Sequence, residues 1–381
     1  MKFVNSYFAR LILMRIKITF LISVLAIALT PSVGHSVAVE KKSKNYTVTM
    51  KKAHLPAAPS NGTDDYRCFL LDPKVGVDSI IRTIEFVPQR KNYVHHAIIF
   101  RVTDADLAEA KLKDKSGNGW ECFGGSGLGG MLTSFTSSPW LSSWAPGRGI
   151  DISPAGYGTP FEKGEHLVLQ VHYNLLAANG AAIQTDQSKI KITAIPAKGS
   201  KVKQLNLELF PAPVELACPK GVTGPLCDRR ASLVDLAART SASSAFEASG
   251  LNFICGLDPR KPVASLTSKC ERRIGENFKI IAAAAHMHLL GQSLTMILNE
   301  GSPNEKVIFD VQNYNFDDQS ATILKNPIDV VWGDRISVKC TFDPSRRQLI
   351  EQLAKLEPRY VTWGEGSSDE MCLGVISAAK S

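Results

Sequence analysis

The chain has 381 residues, 44% of them hydrophobic and 21% charged, and a formal charge of +8. That is ordinary for a globular protein and long enough for about two domains, each with its own core. Four of the basic residues, Lys2, Arg10, Arg15 and Lys17, fall in an N-terminal segment without acids. The rest of the chain balances 40 basic against 36 acidic residues, and no Lys/Arg-rich run supports a nucleic-acid partner.

The N-terminus reads as a secretory signal. MRIK (14–17) is a positive n-region, ITFLISVLAIAL (18–29) an apolar core, and Ser36-Val37-Ala38 a cleavage site. The apolar core falls short of the roughly 20 residues that a transmembrane helix needs, and no later segment approaches that length. We therefore expect residues 1–38 to be removed, leaving a secreted or periplasmic protein with no stable membrane span. The eight cysteines include no C-x-x-C pair, which argues against a zinc ribbon or thioredoxin motif. In an oxidising compartment they most simply form four disulfides.

In chain order, strand-like runs occur at 93–102, 166–175, 189–195, 204–209, 278–290, 306–311 and 335–342, many separated by Gly, Pro and Asn/Asp clusters. This pattern predicts an all-β protein of two tandem antiparallel β-sandwich, jelly-roll-like domains. A boundary near Pro196–Lys203 gives an N-terminal domain over 44–198 and a C-terminal domain over 199–381. Helical spacing appears at 229–240 and 345–357. The first lies in a block, 213–273, that holds four cysteines. We read the block as a partly helical insertion stapled by its own bridges, with a substrate-site lid as the other reading. FGGSGLGG (123–130) lacks the Lys-Ser/Thr and the following helix of a phosphate loop, and reads as a flexible loop. Asn45 and Asn61 begin N-x-T glycosylation acceptors.

Past the signal there are seven histidines: His54, His95, His96, His166, His172, His286 and His288. Most lie in apolar strand-like runs, where a ring without a partner is costly. His286 and His288, two apart after four alanines, share a face if the strand continues through them. His95 and His96 are adjacent, so both reach one metal only if the strand bends or bulges there. We expect His166, at a strand start, to be a surface or structural residue. Met371 precedes Cys372 in GEGSSDEMCLGV (364–375). A thioether beside two imidazoles favours Cu(I), whereas zinc prefers Cys, His or carboxylate.

Four pieces, YVHHAIIF, LQVHYN, HMHLLG and DEMC, resemble in order and spacing the copper type II, ascorbate-dependent monooxygenases. That family includes peptidylglycine α-hydroxylating monooxygenase and dopamine β-monooxygenase. The flanking DYRCF (65–69), SWAPG (143–147) and GDRISVKC (333–340) are also similar, and the resemblance spans roughly 60–376. It implies two copper ions per chain. His95, His96 and His172 would hold an electron-transfer copper, and His286, His288 and Met371 the catalytic copper that activates O2. It also implies ascorbate as reductant, a small-molecule substrate, an open solvent-filled cleft between the sites, and disulfides Cys68–Cys122 and Cys340–Cys372. For the other four cysteines we expect a nested arrangement, Cys218–Cys270 with Cys227–Cys255.

The substrate is not legible. The peptide-amidating branch has an Arg just before its HxH motif, and an Asn and a Tyr after Met-Cys. Here Ala284 and Ala285 precede His286, and Leu373, Gly374 and Val375 follow Cys372, so peptidylglycine is excluded as the expected substrate. An uncharged or apolar C–H substrate is the mild inference. Two other readings stay open: a catalytically silent copper-binding protein on the same scaffold, and a structural β-sandwich whose histidines bind zinc or nothing.

Overall fold

The computed structural model describes residues 43–59, 62–129, 140–178 and 180–380. The signal segment and Asn61 lie outside the described residues. Asn45 is exposed on a strand, Lys44–Thr49. The chain is mostly β, as its alternating, β-branched runs predict. Each of the seven predicted strands forms, the fifth only as far as His286.

Two sandwiches follow from two separate cores. In the first, a five-stranded sheet contains Asp64–Leu71, His166–Asn174, Val94–Val102 and Trp140–Trp144. Its inner face, with Phe69, Ile99, Leu169 and Val171, packs on Ile84, Phe86, Ile190 and Ile192 of the opposing strands. In the second, a four-stranded sheet of Thr267–Arg273, Arg335–Phe342, Gly291–Leu298 and Lys306–Val311 packs on Phe278–His286 and Leu373–Lys380 through Met296, Val338, Ile280 and Ile376. One nine-stranded sheet runs through both halves. Its crossing point is a short parallel pairing of Lys203–Pro211 with Tyr157–Phe161. There a Cβ on Gly158 would meet Ile81 O at 2.7 Å, so the strands approach this closely only with glycine. The described residues form one compact unit.

Of the predicted helices, Arg229–Arg239 forms, capped by Asp228. The run 345–357 does not form one helix. It breaks into Arg346–Leu349 and Glu351–Ala354, because Ile350 turns extended at ψ 106°. The Arg346 guanidinium there is tied to Gly291 O and that of Arg347 to Glu357 O, so tertiary anchoring overrides the helical spacing. Two further helices, Asp104–Lys113 and Ala242–Ile254, were not foreseen.

Four disulfides close: Cys68–Cys122, Cys340–Cys372, Cys218–Cys227 and Cys255–Cys270. The nested arrangement expected for the last four is wrong; they pair sequentially. Cys218 and Cys227 flank a tight loop. Cys255 caps the helix that leads to the Cys270 strand, and short loops cost least entropy to close. The 213–273 block is thus stapled within itself. It also braces the rest of the second half, through Arg239 bound to Asp369.

Candidate metal centre

The strand Val94–Val102 pairs with His166–Asn174, and its register slips between Val94 and His96. Val94 lies opposite Tyr173 and His96 opposite His172, so His95 is the extra residue of a β-bulge. That bend brings two adjacent side chains to one point. The three Nδ1 atoms of His95, His96 and His172 form a triangle with sides of 3.2, 3.3 and 3.2 Å.

Hydrogen bonds alone cannot hold this triangle together. A neutral imidazole Nδ1 either donates or accepts, so three mutual contacts cannot all be satisfied. The far side of His172 settles its own tautomer. His172 Nε2 donates to Asp64 Oδ1 at 2.8 Å, which leaves Nδ1 as a bare lone pair aimed at the centre. A first-row metal about 2.0 Å from each nitrogen has tetrahedral edges of about 3.3 Å, matching the triangle. Among the described residues this is the one group of three or more His, Cys, Asp or Glu side chains that converges in this way.

The surroundings keep the set ligand-ready. Burial, with the neighbouring His172, pushes the pKa of His95 and of His96 well below the ordinary imidazole value, so both are neutral at pH 7. Burial alone would raise the Asp64 carboxyl. Its bonds to His172, Ser367 and Thr63 instead hold it well below the usual carboxylate range. Tyr66 stacks on His172 at 4.1 Å between centroids, and Phe316 stacks on His95 at 4.4 Å.

The second candidate group forms where a strand ends. Phe278–His286 stops at His286, and His288 lies in the following turn, whose carbonyl accepts from Gly291 N–H. The two rings nevertheless stand 5.3 Å apart at 87°. Met287, between them, is pinned by Tyr314, whose hydroxyl donates to Met287 O and accepts from its N–H. His286 Nδ1 donates to Gln319 Oε1 at 2.6 Å; the Gln319 amide donates to Phe316 O, which fixes that orientation. His288 Nδ1 donates to Asp369 O at 3.1 Å. Both rings therefore present Nε2, in contrast to the Nδ1 set of the first group. Burial lowers both pKa values, that of His288 to about 3.

Met371 is buried and lines the same cavity as His286. Its segment is stapled to the histidine turn by Glu370, whose carboxylate accepts from His288, Leu290 and Met371 N–H groups. Cys340–Cys372 closes directly behind it. Arg239, from the 213–273 block, binds Asp369 at 2.8 Å and so braces the same segment.

The two groups are not separated by an open, solvent-filled cleft. His96 and His286 lie 5.9 Å apart between centroids. Tyr66 donates its hydroxyl to Glu365 O at 2.5 Å, and Ser367 Oγ donates to Asp64 Oδ1 at 2.8 Å. These contacts join the strand beside the first group to the segment that carries Met371.

His166 stands apart, with Nδ1 on Gly164 O, and His54 binds Asp65. Asp64, Gln319, Glu370, Tyr66 and Phe316 were not singled out from the sequence. Asp64 and Tyr66 lie in or beside the DYRCF piece, and Glu370 is the second acid of DEMC, so those were the available signals. FGGSGLGG is tied down over its described part, because Gln170 Nε2 donates to Gly125 O and Cys122 O.

Among solved structures, an allantoicase aligns at 11% identity over 72% of this chain and 73% of its own, with a TM-score of 0.19. A fucolectin from Morone saxatilis serum aligns at 6% identity over 89% and 97%, with a TM-score of 0.20. Scores that low carry no argument. Residues 255–377 match the family model described as copper type II ascorbate-dependent monooxygenase, C-terminal domain. That stretch, less than half of the chain, includes His286, His288, Met371 and the Cys340–Cys372 bridge, and over it the chain resembles the C-terminal domain of that family.

Proposed function

We propose that the chain is an exported, two-copper monooxygenase that hydroxylates a C–H bond of a small organic substrate other than peptidylglycine. His95, His96 and His172 would hold one copper through Nδ1, on a domain spanning 44–198. His286 and His288 through Nε2, with the Met371 thioether, would hold the other on a domain spanning 199–381. When bound, copper supplies one-electron redox chemistry and O2 activation, which no side chain here offers. One oxygen atom enters the C–H bond and the other leaves as water, with two electrons from ascorbate and two protons completing the balance.

The observation that carries this reading is the Nδ1 triangle with Asp64 behind it. Three imidazoles in a dry setting suit an electron relay that must hold copper in both oxidation states. Two imidazoles and one thioether would hold a second copper while leaving room for O2. The chain's own residues orient the rings: Asp64, Gln319 and the Asp369 carbonyl each fix a tautomer, and Phe316 covers His95 and lies against His288. Four disulfides fit an oxidising, extracellular or periplasmic setting, and no helix among the described residues is long and apolar enough to cross a membrane.

The test is O2 uptake by the copper-loaded protein with ascorbate across a panel of small organic molecules. The reading expects uptake that depends on one class of molecule, with one hydroxylated product per O2 consumed. Full copper loading with no substrate-dependent uptake across the panel would instead favour a silent copper-binding protein.

A further inference from the structure

The sheet face that ends at His286 is a row of small and aliphatic side chains. Ala283 and Ala285 point into the second core, alongside Ile376. A Cβ on Gly374, opposite Ala285, would meet Met296 Sδ at 2.6 Å, so that face is closed. By strand alternation Ala282, Ala284 and His286 point the other way. Their cross-strand partners are Ser377, Val375 and Leu373. The next strand continues the same face with Leu207, Leu209 and Pro211. All of these line one cavity of about 690 Å³.

The cavity reaches both candidate metal groups. His96 and Ile98 line it from the first half, and His286 and Met371 from the second. Its charged lining residues are mostly paired, Arg101 with Glu165, Arg148 with Asp151 and Glu208 with Arg272, and the buried Glu365 carboxyl, pushed up to about 8, is neutral at pH 7. Glu276 and Lys380 lie at the opposite end of the strands from His286, where Lys380 pairs with Phe278. The row rises about 3.4 Å per residue, so Ala282 stands about 14 Å of backbone from His286.

We infer that this chamber binds an uncharged, elongated apolar substrate, with its reacting carbon at the His286 end and its length along Ala284 and Ala282. The inference rests on the proposed function for which carbon reacts, but not for what the chamber admits. The two alanines set the width, since any longer side chain there fills the space over the sheet. A charged ligand would lose its hydration against Leu207, Leu209 and Val375 without gaining a free counter-charge.

The test is calorimetric titration of the full-length, metal-free protein with butylbenzene, 4-phenylbutylamine and 4-phenylbutanoate. The structure predicts butylbenzene binding at least tenfold tighter than either ion. Ala284→Leu should weaken it at least tenfold and the smaller Ala284→Val at least threefold, with folding checked by circular dichroism. No butylbenzene binding, an ion bound equally well, or wild-type affinity in a folded variant would overturn the inference. Copper taken up when the same preparations are reloaded with the metal keeps the two readings apart. Two coppers without butylbenzene binding overturn the chamber alone, whereas butylbenzene binding without copper supports the chamber and overturns the function.

Discussion

His96 and His286 meet edge to face, with ring centroids 5.9 Å apart and planes at 84°. One belongs to a bulged strand of the first sandwich and the other to the last residue of a strand in the second. One ring of each candidate group therefore lines the same chamber. Ser367 and Asp64 tie that arrangement into the hydrogen-bonding behind His172, so whatever moves the Met371 segment also acts on the first group.

Met371→Ile keeps an apolar side chain of similar size, and such swaps usually cost under about 1.5 kcal/mol. The fold should survive with Cys340–Cys372 closed. Copper at His286/His288 should weaken more in the reduced state than in the oxidised one, and turnover should fall steeply. X-ray absorption of the reduced protein checks this: copper–sulfur scattering should be present in the wild type and absent in the variant. Full turnover in the variant would make Met371 a core residue.

Asp64→Asn and Gln319→Leu separate the two groups. Loss of an outer partner of a metal-binding histidine typically costs 10–100-fold in affinity. Asp64→Asn should lower affinity by that factor for one copper and Gln319→Leu for the other. Competitive copper titration reads both. Equal weakening of both sites by either variant would mean that the partner supports the fold rather than one metal.

Glu365 should contribute a stability that falls as pH rises from about 4.5 to 8, opposite in sign to the buried histidines, whose lowered pKa values favour the fold as pH rises toward 6.5. Burial, with Glu247 and Asp369 nearby, pushes the Glu365 carboxyl up to about 8, so the folded chain keeps a proton that the unfolded chain releases in that window. The slope for one such proton is at most about 1.4 kcal/mol per pH unit. Glu365→Gln should remove that one falling contribution, so the Tm of the variant relative to the wild type should rise between pH 5 and 8. An unchanged slope would assign it to another group.

The sheet architecture was legible because β-branched alternation survives any tertiary context that keeps one face buried. The bulge at His95 was legible as a condition: two adjacent histidines can converge only through one. The outer partners were not, because each comes from far along the chain. Asp64 lies 108 residues from His172, and Glu370 lies 82 from His288. Nothing local marks a carboxylate that accepts from a distant turn. The 345–357 helix and the nested bridges failed for the opposite reason. Local spacing suggested them, and anchoring of Arg346 and Arg347 and closure of the shorter loops decided otherwise.

Copper bound per chain in the wild type, His172→Ala and His166→Ala tests the two-site account most directly. The account predicts two, one and two: His172 completes the Nδ1 triangle, while His166 faces Gly164 and Asp72 away from it. A single copper in the wild type, or two retained in His172→Ala, would contradict it.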